Sequence, residues 1–162
     1  MKNKLFPAEA VADETVAPVK EAKPEEASKE VIEVEPENAV LMFTATAEKD
    51  FTYEVYYTVE REVWFDADHV VAAEGKAGTE NYGIVLPEKA VYRIRLDFGS
   101  YPGTVTVKNV RLDGSQKADL NDFNNYEFAQ IDKYQKNEDG SLTITSEQED
   151  PYMAFRMELL SE

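Results

Sequence analysis

The chain of 162 residues sets 33 Asp and Glu against 17 Lys and Arg, a formal charge of −16 that repels nucleic-acid backbones and anionic head groups and argues against both as partners. It has no cysteine, so disulfides and thiolate metal sites are closed to it, and no run of about 20 apolar residues that could insert directly in a membrane. The length suits one domain, whose folded part would bury roughly two thirds of its unfolded surface.

The opening MKNKLFPAEA carries two lysines with no apolar stretch of about 7 to 15 residues behind them, so no export signal is read here. Residues 8–37 are built mostly from Glu, Ala, Val, Lys and Pro, without an aromatic residue or a glycine. Such a segment has too little apolar surface to offset its ordering entropy, and residues 1–37 are read as a disordered acidic linker.

At Asn38 the composition changes, and residues 38–162 read as the folded domain. Ala39 to Ala45 is a first short strand. From Phe51 to Glu60, Phe51, Tyr53, Val55, Tyr57 and Val59 alternate with polar residues and Tyr56, the period of a strand with one face in a core. Val63 and Phe65 fall on one parity and Trp64 on the other. Asp68 to Tyr82 reads as a polar connection, followed by a brief strand from Gly83 to Leu86.

The clearest element is Val91 to Leu112, VYRIRLDFGSYPGTVTVKNVRL. Tyr92, Ile94, Leu96 and Phe98 point one way, Arg93, Arg95 and Asp97 the other, and a Gly/Pro turn leads into a second strand. In that strand Val105 and Val107 share a parity that Val110 and Leu112 do not, which predicts a β-bulge near Lys108 and Asn109. Ser115 to Asn125 is a polar loop, Tyr126 to Tyr134 a strand, Asn137-Glu138-Asp139-Gly140 a tight turn into Ser141 to Ser146, and Tyr152 to Leu160 a last strand with Met153, Phe155, Met157 and Leu159 inward. About eight short strands without an amphipathic helix predict an all-β fold, a two-sheet antiparallel β-sandwich. A jelly roll is the first choice of topology and an immunoglobulin-like sandwich the second.

Few groups suggest chemistry. His69 is the one histidine, and no GxSxG elbow surrounds a serine, so a nucleophile and base are hard to assemble and His69 reads as a surface or packing residue. No enzyme is expected. Asp119, Asn121 and Asp122, with Asn124 and Asn125, gather hard oxygen donors suited to calcium, although the EF-hand pattern is not met; the other reading is an Asx-rich loop bonded to its own backbone. Asp66 and Asp68 form a weaker candidate. Sugar recognition asks for exposed aromatic faces beside planar polar groups. Trp64, Tyr82 and Tyr101, with Tyr56 and Tyr126, could supply the first, and Arg93, Arg95 and Arg156 the second, unless the aromatic residues cover the rim of the core and the arginines pair with acids on neighbouring strands.

The stretch VYRIRLDFGSYPGTVTVKNVRLDG, with DGSLTITSEQEDPYMAF, resembles the galactose-binding-like jelly-roll modules of bacterial carbohydrate-binding and cell-envelope proteins, over about a third of the folded region. The resemblance implies a non-catalytic module that binds glycan through loops or a sheet face, often with a structural calcium, in a cell-envelope or extracellular setting. It transfers no site residue. The expectation is therefore a carbohydrate-binding accessory domain; the alternative is a spacer or protein-interaction module, set against a neighbouring domain or protein, with no small ligand. An exposed Trp64 near Tyr101 or Tyr82 and beside an arginine favours the first, a buried Trp64 on a flat acidic surface the second.

Overall fold

The computed structural model describes residues 37–160. The linker expected over residues 1–37 lies outside the described residues except at Glu37. Eleven strands follow: β1 (Val40–Ala47), β2 (Phe51–Thr58), β3 (Val70–Gly75), β4 (Gly78–Val85), β5 (Arg93–Asp97), β6 (Gly103–Asp113), β7 (Lys117–Asp119), β8 (Tyr126–Ala129), β9 (Lys133–Lys136), β10 (Leu142–Ser146) and β11 (Tyr152–Phe155). No helix among the described residues is long and apolar enough to cross a membrane.

The strands form two antiparallel sheets. One has six strands in the order β9-β10-β6-β1-β4, with β7 on the far half of β6; the other has five, β3-β2-β5-β11-β8. Successive strands such as β1 and β2, β5 and β6, and β10 and β11 lie in opposite sheets, so the sandwich is jelly-roll-like. The alternation read from the sequence is what lets the sheets pack. Leu41, Phe43 and Ala45 face Tyr53, Val55, Ile94, Leu96, Phe98 and Met153 across a dry interior, with Val105, Val107, Leu112, Leu142 and Ile144 completing it.

The predicted bulge is present. Met42 pairs with Arg111 and Thr44 with Lys108, so Phe43 alone stands opposite Asn109 and Val110, and Asn109 takes a left-handed φ of 56°. The Asn137–Gly140 turn also forms, closed by Asn137 N–H donating to the Ser141 carbonyl.

Three boundaries and one side chain differ from the sequence reading. Residues 68–82, expected as a connection, contain β3 and the start of β4, whose alanines, glycines and polar side chains lack a strand signature because both strands sit at sheet edges with exposed faces. The single strand expected over Tyr126 to Tyr134 is two strands in different sheets, broken where Gln130 adopts a φ of 56°. The last strand ends at Phe155; Met157, expected inward, is exposed, and Leu159 is only partly buried. Tyr126, expected as a possible exposed ring, is buried and donates its hydroxyl proton to the Leu120 carbonyl at 2.7 Å.

Candidate functional site on the five-stranded sheet

The outward positions of β2, β5 and β11 fall in register: Tyr56 lies opposite Arg95, Arg95 opposite Ala154, and Tyr152 opposite Asp97. Side chains two apart on a strand share a face, so Arg95 and Asp97 of the RIRLD strand meet. Arg95 Nε and Nη2 donate to the two Asp97 carboxylate oxygens at 2.7 and 2.8 Å, a bidentate pair. The guanidinium is flanked by the Tyr152 ring at 3.7 Å and the Tyr56 ring at 4.4 Å, with Phe65 at 5.9 Å. Asp150 stands 3.9 Å from Arg95 Nη2.

Asp97 is 1% exposed although it lies on the outward parity. Burial pushes its carboxyl up to about 6, against the hydrogen bonds and charge of Arg95, and Asp150 adds to the rise. Burial also opposes the Arg95 charge, but Asp97 outweighs it and holds Arg95 above its ordinary value. The pair does not follow the expected pattern of arginines bonded to acids on neighbouring strands: the partner is on the same strand.

The segment between β2 and β3 brings Trp64 to this face. Trp64 is 50% exposed and meets Phe65 edge-on at 4.9 Å, and Phe65 in turn borders Arg95. Beside it lies a recess of about 140 Å³ lined by Tyr57, Val63, Trp64, Asp66 and His69 among others. That is below the roughly 300–1,000 Å³ of clefts that enclose drug-sized ligands, so the geometry suits stacking on an open surface rather than engulfment. His69 packs edge-on against Tyr57 and bonds Asp66 Oδ1 through Nδ1 at 2.9 Å. That bond raises the His69 pKa above its ordinary value and lowers Asp66 below its own. Asp66 Oδ1 also accepts from Asp68 N–H, so this turn is bonded to itself.

The remaining sequence candidates are dispersed. Arg93, half-buried, donates from Nη1 to the Arg156 carbonyl at 3.3 Å. Tyr101 is 47% exposed in a left-handed conformation on the turn after β5, with its hydroxyl 3.4 Å from Glu149. Tyr82, expected on an exposed aromatic face, is half-buried in the other sheet, stacked on Phe43 at 5.2 Å, and its hydroxyl accepts from Lys76 N–H. The ring beside Trp64 is therefore Phe65, rather than Tyr82 or Tyr101.

In the polar loop, Asp119 Oδ1 accepts from the Asn121 N–H and side-chain amide, Asp122 accepts from Asn124 N–H as cap of a short 3-10 turn, and Asn121 Oδ1 accepts from Val110 N–H. Among the described residues no group of three or more His, Cys, Asp and Glu is arranged to hold a metal ion. Sequence reasoning missed Asp97, Tyr152 and Asp150. The signal for Asp97 was its i, i+2 spacing from Arg95; Tyr152 and Asp150 required the strand order. Comparison of the chain with protein-family models, with curated proteins and with solved structures returned no match.

Proposed function

We propose that this is a non-catalytic carbohydrate-binding domain, an accessory module of a bacterial cell-envelope or secreted protein, that receives glycan on the outer face of its five-stranded sheet. The observation that carries this is the half-exposed Trp64, which continues through Phe65 into an arginine held flat between Tyr56 and Tyr152. An exposed indole offers a flat apolar surface to sugar C–H groups, and polar groups beside it orient hydroxyls.

A glycan array probed with and without calcium tests the proposal, the calcium arm addressing Asp119, Asn121 and Asp122. Trp64→Ala is expected to weaken binding by roughly tenfold or more, as for an aromatic anchor covered by the ligand, while the protein stays folded with a modest loss of stability, because half of the indole already faces water. No binding at millimolar glycan in either arm would sink the reading. A second reading, a spacer or protein-interaction module without a small ligand, is favoured by the closure of Arg95: its side chain is 12% exposed and its fork is already filled by Asp97.

A further inference from the structure

We infer that the six-stranded sheet carries a separate ligand recess at its β-bulge, built for a small hydroxylated carboxylate about the size of one uronic-acid ring. It lies on the sheet opposite Trp64, and either site can fail without the other. The extra residue at Asn109 and Val110 opens the ladder beside Phe43, and bulges re-aim side chains. Here a recess of about 250 Å³ lies among Met42, Thr44, Asn81, Tyr82, Asn109 and Arg111. Phe43 and Tyr82 border it from the two strands but turn their rings, stacked on each other, into the core.

The polar groups around the recess are mostly donors. Thr44 Oγ1 donates to Asn81 Oδ1 at 2.6 Å, which commits the acceptor of that amide and leaves its two N–H groups for a ligand. Arg111 is held in place from three sides: Nη1 donates to the Asn109 carbonyl at 3.0 Å, Nη2 contacts Met42 Sδ at 3.7 Å, and Nε faces Asp113 at 3.6 Å. Its side chain is nevertheless 40% exposed, with guanidinium donors to spare. No carboxylate lines the recess, in a chain with 33 of them, and exposed Lys108 lies opposite Thr44 in the next strand. A donor-rich recess with one fixed cation, whose Nε alone faces an acid, Asp113, selects a ligand rich in acceptors and bearing one carboxylate for the remaining guanidinium donors.

An asparagine held in the left-handed region costs backbone energy that glycine would not, and such residues concentrate where a side chain is needed.

The test is a titration of the full chain with galacturonate and glucuronate, and with galactose and glucose as neutral controls, followed by backbone amide NMR. Uronates are expected to shift the amides of Thr44, Asn81 and Asn109 with millimolar affinity, more strongly than the neutral sugars. Arg111→Ala should weaken uronate binding by about tenfold, the loss of one charge-assisted contact. Because that change also removes a bond to the bulge, Asn109→Gly is the second variant: glycine keeps the backbone conformation, and its spectrum should stay folded while uronate binding falls several-fold. The inference is overturned if no uronate shifts these amides at tens of millimolar, if the folded Asn109→Gly and Arg111→Ala proteins bind as the parent does, or if the shifts fall on Trp64 and Phe65 instead. That last result would leave the Trp64 reading standing.

Discussion

Replacing Asp97 by Asn tests the electrostatics of the buried pair through the pH dependence of stability. The folded carboxyl titrates at about 6 against an ordinary 3.8, so between those values the folded chain holds a proton that the unfolded chain has released. Its contribution to stability is therefore fully present below pH 3.8 and is lost as pH rises through 6. The gap between 3.8 and about 6 amounts to about 3 kcal/mol in full, of which about 1.3 kcal/mol has appeared on going from pH 7 to pH 5. The side chain is 2% exposed, so solvent screening takes little from this figure. Asn keeps the shape and one acceptor but cannot ionise. Asn resembles the protonated carboxyl beside Arg95, and the offset in stability that the substitution adds is the same at both pH values because Arg95 stays protonated throughout. Asp150, Glu54 and every other carboxylate remain in both proteins. Urea unfolding of parent and variant at pH 5 and pH 7 should show the parent gaining about 1.3 kcal/mol more than the variant on acidification. An equal change in the two proteins, or a larger gain in the variant, would refute the account.

Two further outcomes follow from the same geometry. Gln116 is buried, accepts from Val91 N–H at 2.8 Å and donates to the Val91 carbonyl at 3.0 Å, so Gln116→Leu strands both groups and should cost about 1–3 kcal/mol for each in chemical denaturation; a loss under about 0.5 kcal/mol would contradict it. His69 should titrate above its ordinary value by NMR, and Asp66→Asn should bring its midpoint back down, because the hydrogen bond to Asp66 is the leading cause of the rise; an unmoved midpoint would assign the rise to other groups.

The parts of the fold legible in the sequence were those where side-chain period alone decides the outcome. The β5 and β6 strands, the inward set of β2 and the bulge at Asn109 all follow from alternation and one break in it. β3 and the start of β4 were hidden because an edge strand with an exposed face needs no apolar alternation, and Val70–Gly75 is mostly small residues. The strand expected from Tyr126 to Tyr134 concealed a crossing between sheets at Gln130, which carries none of the usual glycine or proline marks. At the candidate site, parity did not decide the exposure of Trp64, because residues 63–66 form no strand and Val63 is exposed beside it. The rings enclosing Arg95 could not be read either, because they arrive from β2 and β11, and only the sheet order places these strands on either side of β5.

The position of β1 in the six-stranded sheet bears on how the chain is made. It lies between β4 and β6 and is the first strand of the sandwich to leave a ribosome, yet its pairing is incomplete until Gly103–Asp113 has been synthesised. The five-stranded sheet closes later still, when β11 inserts between β5 and β8. Six of the nine pairings join strands that are not consecutive in the chain, which sets such topologies among slow folders, on the millisecond-to-second scale. Over that interval the apolar faces of β1 and β2 are bare, and the heavy excess of carboxylates keeps nascent copies apart by charge repulsion until the second sheet covers them.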